Sequence, residues 1–129
     1  MFSHVMLGAN DVETSKTFYD ATLGVLGARA GSVDPKGRAF YMHNGGVFML
    51  SKPLDGQPAC HANGGTIGFA ADSSEQVDAW HAAGLAHGGT AIEDPPGIRE
   101  NAFGALYLAY LRDPAGNKVC AMYRVPKAD

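Results

Sequence analysis

Two thiols and five imidazoles supply the softer donors of this chain: Cys60 and Cys120, with His4, His43, His61, His81 and His87. Their spacing fits neither a zinc motif nor the helical H-E-x-x-H arrangement, so no metal site declares itself from spacing alone. Cys120 stands in "NKVCAMYRV" (117–125), with Lys118 two residues away on the same face of an expected strand. A neighbouring ammonium lowers a thiol's pKa, which a nucleophilic cysteine needs, whereas Val119, Ala121 and Met122 point to apolar packing. The stretch "EDPPGIREN" (93–101) sets Glu93, Asp94, Arg99 and Glu100 around two prolines. An arginine on such a loop could clamp a carboxylate or phosphate in bidentate fashion; the alternative is a solvated loop with internal ion pairs. Tyr41, Tyr107 and Tyr110 fall on strands, where each could offer a hydroxyl or simply pack.

The elements that must position these groups alternate in type. "SHVMLGAN" (3–10) is a short apolar strand. A helix over 10–28 is opened by Asn10 with Glu13 three residues on, carries Val12, Tyr19, Leu23 and Leu26 as its apolar stripe, and stops at Gly27. Strands are expected at 28–33, 37–44 and 46–53, broken by the turn signals "DPKG" and "NGG". A polar Gly/Pro-bearing linker covers 54–65. Then the order recurs: a strand at 66–71, and a helix at 72–89 opened by Asp72 with Glu75. Strand 90–94, loop 95–101 and strands 104–112 and 117–125 follow. The last two are joined by "DPAGN", an ideal tight turn.

The chain therefore reads βαβββ, linker, βαβββ: one domain, 1–129, with a first module at 1–53 and a second at 66–129. An internal repeat supports this. A shift of 62 residues lays His4-Val5-Met6-Leu7 on Thr66-Ile67-Gly68-Phe69, Glu13 on Glu75, Phe18 on Trp80 and Gly27 on Gly89. Near the end of each half a shift of 71 lays Gly45 on Gly116 and Met49 on Cys120. Phe18 and Trp80 are expected core anchors. The fold class is α+β, with the two modules forming a cleft between curled mixed sheets. Equivalent positions at strand starts and ends, His4 with Thr66 and Met49 with Cys120, should border that cleft.

Bulk properties exclude several function classes. At 129 residues and 46% hydrophobic content the chain is long enough to bury a core, roughly two thirds of its unfolded surface. A net charge of −3 without a basic run argues against a nucleic acid or an anionic membrane as partner. Two cysteines are too few for a disulfide framework, no apolar run approaches a membrane span, and no leader pattern opens the chain. A cytoplasmic protein with reduced thiols is expected.

"HVMLGANDVETSKTFYDATLG" resembles the opening of the vicinal oxygen chelate superfamily, which includes glyoxalases, bleomycin-resistance proteins and extradiol dioxygenases. "GGTIGFAA" is similar to the start of that family's second module, and "RDPAGNKVCAMY" to its closing hairpin. In metal-using members the resemblance implies a divalent ion held by His, carboxylate, His and Glu on the first, fourth, fifth and eighth strands. Those positions fall on His4, Met49, Thr66 and Cys120, so only the first retains the family's donor. A thioether and a hydroxyl are poor substitutes for carboxylate and imidazole at hard or borderline ions.

Three functions follow as expectations. The first is a glyoxalase/bleomycin-resistance-like protein binding a small organic molecule in a mostly apolar cleft, with no cofactor. Its binding residues would be His4, Met49, Thr66, Cys120, Arg99 and Tyr107. The second is a divalent-metal lyase or dioxygenase using His4 with atypical ligands. The third is a thiol-dependent enzyme using Cys120. The resemblance also implies a homodimer, in which modules sometimes pair between chains.

Overall fold

The computed structural model describes residues 1–127. The first module comprises β1 (Val5–Gly8), α1 (Val12–Val25), β2 (Ser32–Val33), β3 (Ala39–His43) and β4 (Gly46–Ser51). The second comprises β5 (Ile67–Ala70), α2 (Ser74–Ala86), β6 (Thr90–Ala91), β7 (Gly97–Asn101), β8 (Gly104–Arg112) and β9 (Lys118–Arg124). Among the described residues the architecture is α+β, with two helices and two mixed sheets in the orders β1-β4-β3-β2 and β5-β9-β8-β6, β7 also pairing with β8. The sheets do not close on each other. Residues 54–65 form neither helix nor strand. Among the described residues no helix is long and apolar enough to cross a membrane.

Both helix starts lie one residue later than the sequence pattern suggests. At α1 the cap is Asp11, whose carboxylate accepts from the amides of Glu13 and Thr14 at 3.0 and 3.3 Å. Asn10 instead accepts from the Ala59 amide at 2.7 Å, tying the linker to the first module. At α2, Ser73 Oγ accepts from the Gln76 amide while Gln76 Oε1 accepts from the Asp72 amide. The reciprocal partner is therefore Gln76, not Glu75. The stop after α1 is as expected: Gly27 takes a left-handed φ of 100°, and its amide bonds back to Gly24. After α2 the left-handed residue is Gly88, one before the expected Gly89.

The expected loop 95–101 is corrected. All of it beyond the two prolines is strand β7, antiparallel to β8 with Ile98 opposite Tyr107 and Arg99 opposite Leu106. The two prolines conceal it: they end at Pro96, and every residue of β7 still has an amide to donate. The strands expected at 28–33 and 90–94 shrink to two residues each.

One core serves both modules. Phe18, Tyr19, Val77 and Trp80 from the helices meet Ala39, Tyr41, Phe48 and Leu50 of the first sheet and Ala109, Leu111, Val119 and Ala121 of the second. Phe18 and Trp80, the repeat-mates, are both fully buried. Tyr19 sits at the junction, its ring 4.7 Å from Phe48 and 6.3 Å from Phe69. Its hydroxyl donates to Asp113 Oδ2 at 2.6 Å. Burial first, and then the Asp113 carboxylate, push this phenol well above its ordinary range, so it remains a donor.

Asp113 is 3% exposed and accepts also from the amides of Ala115 and Asn117 and from Asn117 Nδ2. Removing the phenolic donor leaves a buried carboxylate short of one partner. Tyr19→Phe should therefore lose about 2 kcal/mol. A urea titration would show this as a lower midpoint at unchanged slope, and a wild-type midpoint would contradict it.

Candidate functional site

Strand alternation divides each sheet into a face packed on the helices and a far face. On the first sheet the register sets Met6, Met49 and Phe40 side by side on the far face, with Val47 opposite Met42. On the second it sets Gly68, Cys120 and Tyr110 in one row and Ala70, Met122 and Leu108 in the next. The backbone thus pairs Met6 with Met49 and Gly68 with Cys120, which are equivalent under the two repeat shifts. The internal duplication is legible in the hydrogen-bond register itself.

Both far faces are apolar at their centres. Leu106, Leu108 and Cys120 form a second buried cluster against Tyr110 and Met122, while Met6 and Met42 on the first sheet are exposed. His4 precedes β1, is exposed, and has Nδ1 2.8 Å from Ser3 Oγ. Thr66 is likewise exposed, just ahead of β5. The structure thus brings His4 to the Met49 sheet and Thr66 to the Cys120 sheet. Two cavities flank the sheets, and neither is lined by His4, Met49 or Cys120. One, of about 1030 Å³, lies between β1, the start of α1 and residues 51–54; the other, of about 310 Å³, lies between Tyr41, Phe48 and Phe69.

Tyr107 lies on the opposite face from Cys120. It stands opposite Tyr123 and Ile98, on the helix side, and its hydroxyl donates to Asp78 of α2 at 2.8 Å. The far-face tyrosine is Tyr110, directly opposite Cys120. Arg99 is on the far face, but its guanidinium is not a free fork. Nη1 donates toward the carbonyls of Pro95, Gly97 and Leu108 and Nη2 toward that of Asp94, at 2.8 to 3.1 Å. The bidentate clamp is already filled by backbone, so Arg99 holds the 94–97 segment and leaves an oriented positive charge.

The sequence reading names Lys118 and Glu93 separately, and the structure brings them together. Lys118 forms an ion pair with Glu93, and its ammonium lies 5.0 Å from the Tyr110 ring centre. The Arg99 guanidinium carbon lies 6.0 Å from the same centre. Counting back by two from Cys120 finds Lys118, whereas nothing in the sequence pattern brings Glu93 to it.

The donor set does not suit the family's divalent ion. At the ligand positions that the resemblance implies stand Met49, Thr66 and Cys120, and among the described residues no three His, Cys, Asp or Glu side chains gather as donors. Nor is Cys120 prepared as a nucleophile. Burial pushes its thiol up to about 11; Lys118 pulls it down, and Glu93 opposes Lys118. At about pH 8 the thiolate fraction is then roughly a hundredth of that of a thiol at the ordinary value. Iodoacetamide should modify exposed Cys60 readily and Cys120 of the folded chain at least tenfold more slowly. Rapid alkylation of Cys120, followed by peptide mapping, would restore the thiol mechanism.

Comparisons with known proteins agree with this architecture. The sequence model of the Glyoxalase/Bleomycin resistance protein/Dioxygenase superfamily matches residues 1–121. A glyoxalase/bleomycin resistance protein from Albidiferax ferrireducens T118 is 60% identical, superposes with a TM-score of 0.93, and is matched over 96% of this chain and 99% of that one. A glyoxalase/bleomycin resistance protein/dioxygenase family enzyme from Burkholderia phytofirmans PsJN shares the fold at 20% identity and a TM-score of 0.70, over 93% and 95% of the two chains. Lactoylglutathione lyase from Agrobacterium tumefaciens does so at 22% identity and 0.65, over 95% and 92%. No curated protein matches the chain.

Proposed function

The chain belongs to the glyoxalase/bleomycin resistance/dioxygenase superfamily, and we propose that it is a member that binds a small organic molecule without the divalent ion. The observation carrying this reading is the make-up of the two far faces. Equivalent central positions hold Met6 with Met49 and Gly68 with Cys120, beside Leu106, Leu108, Tyr110 and Met122. Such walls recognise an apolar body, and they leave a single imidazole, His4, as a hydrogen-bonding partner. Because the two sheets do not close on each other, a second copy of the chain completes the cleft in this proposal.

Two measurements on one preparation test it. Protein purified without chelator should carry far less than one equivalent of Ni, Zn, Mn or Fe. One equivalent that disappears in His4→Ala would establish the metal-dependent reading instead. Nile red, an uncharged apolar dye, should fluoresce at a saturable site that Met49→Lys abolishes, since a buried ammonium on that wall is strongly disfavoured. Absence of a saturable site would rule out small-molecule binding on these faces.

A further inference from the structure

We propose that the far face of the second sheet selects an apolar organic acid, and that Glu93 occupies the carboxylate position until the ligand displaces it. This rests on the small-molecule reading above and names the class of ligand. The argument begins with charge. The register places Arg99, Arg112, Lys118 and Arg124 on this one face, opposite or beside Leu106 and Tyr110. The chain as a whole has a net charge of −3, so this face is charged against the average. Among the described residues Glu93 is the one carboxylate paired with any of these cations.

The cations are not equivalent. Arg99 is held by four carbonyls, and Arg112 and Arg124 donate to the carbonyls of Gly116 and Phe103. Lys118 alone is held by a side chain. Its ammonium hangs over the Tyr110 ring, and its flexible stem can follow an incoming anion. Next to it lies the apolar floor of Leu108, Cys120 and Met122. An anionic head on Lys118 and an apolar body on this floor fit one ligand: a carboxylic acid with a ring or branched chain.

Glu93 shows that a carboxylate fits beside Lys118, and its own attachment is weak. Its backbone takes the left-handed conformation, φ 59°, unfavourable for a residue with a long side chain. Its side chain remains 45% exposed and that of Lys118 28%, so the pair is partly solvated and worth little. Displaced, Glu93 returns to water at small cost, while the ligand's carboxylate is fixed by the apolar contacts its other end makes. The array works as a cation with a resident, exchangeable anion.

The test uses the same dye displacement with matched pairs of acid and neutral amide: phenylacetate against phenylacetamide, and 3-phenylpropionate against its amide. The acid should displace Nile red at about fivefold lower concentration than the amide, and the gap should narrow in high salt. Glu93→Gln should widen the gap by strengthening the acid alone. Lys118→Met should abolish it while the dye still binds. Equal displacement by acid and amide in the wild type would overturn the proposal and leave small-molecule binding standing. Glu93→Gln binding the acid no better than wild type would remove the resident-anion role. A chain with no saturable dye site at all would fail at the earlier reading.

Discussion

The fold depends on one buried carboxylate. Asp113 begins the "DPAGN" turn between β8 and β9, yet its partners reach beyond that turn. Tyr19 of α1 donates to it from the first module, and Asn117 bridges from it to the Gly8 carbonyl at the end of β1 at 2.9 Å. A group that would be costly to bury alone is thus satisfied by the helix of one module and the closing hairpin of the other, and Asn117 ties that hairpin to the first strand. The aromatic contacts around Tyr19, with Phe18, Tyr41, Phe48 and Phe69, build the shared core outward from this point.

This explains why a turn of such ordinary composition is informative. Asp and Asn suit a tight turn wherever one occurs, because their side chains bond their own backbone. Here the same side chains also join the modules. The hairpin must therefore keep its residues for reasons outside the hairpin, and the β8–β9 register that carries Cys120, Met122 and Lys118 inherits that rigidity.

Much of this was legible in the sequence because it rested on local periodicity. Repeat shifts of 62 and 71 residues matched Met6 with Gly68 and Met49 with Cys120, though not the strand pairing that sets each beside its partner, and Phe18 and Trp80, expected as core anchors, are buried. The caps were misplaced by one residue because Asn10-Asp11 and Asp72-Ser73 each offer two capping side chains in a row, and backbone geometry chooses between them. Tyr107 and Tyr110 are separated by three positions, which puts them on opposite faces; composition could not say which faced the helices. The Glu93–Lys118 pair depends on a left-handed backbone at a glutamate, which no residue preference predicts.

The two modules have kept the same frame and diverged in bulk at their matched centres. Where the first sheet sets a methionine opposite a methionine, the second sets Gly68 opposite Cys120, so close that a Cβ on the glycine would come within 3.1 Å of the sulfur. One wall is lined by flexible thioethers, the other sets a glycine against a thiol, with Arg112 and Lys118 at one end of the β8–β9 ladder and Arg124 at the other. Duplicated halves with identical walls would admit an elongated guest head-first or tail-first with equal ease. For the guest proposed above, walls that differ this much would break that degeneracy, so that its polarity, and not only its size, would be read on entry.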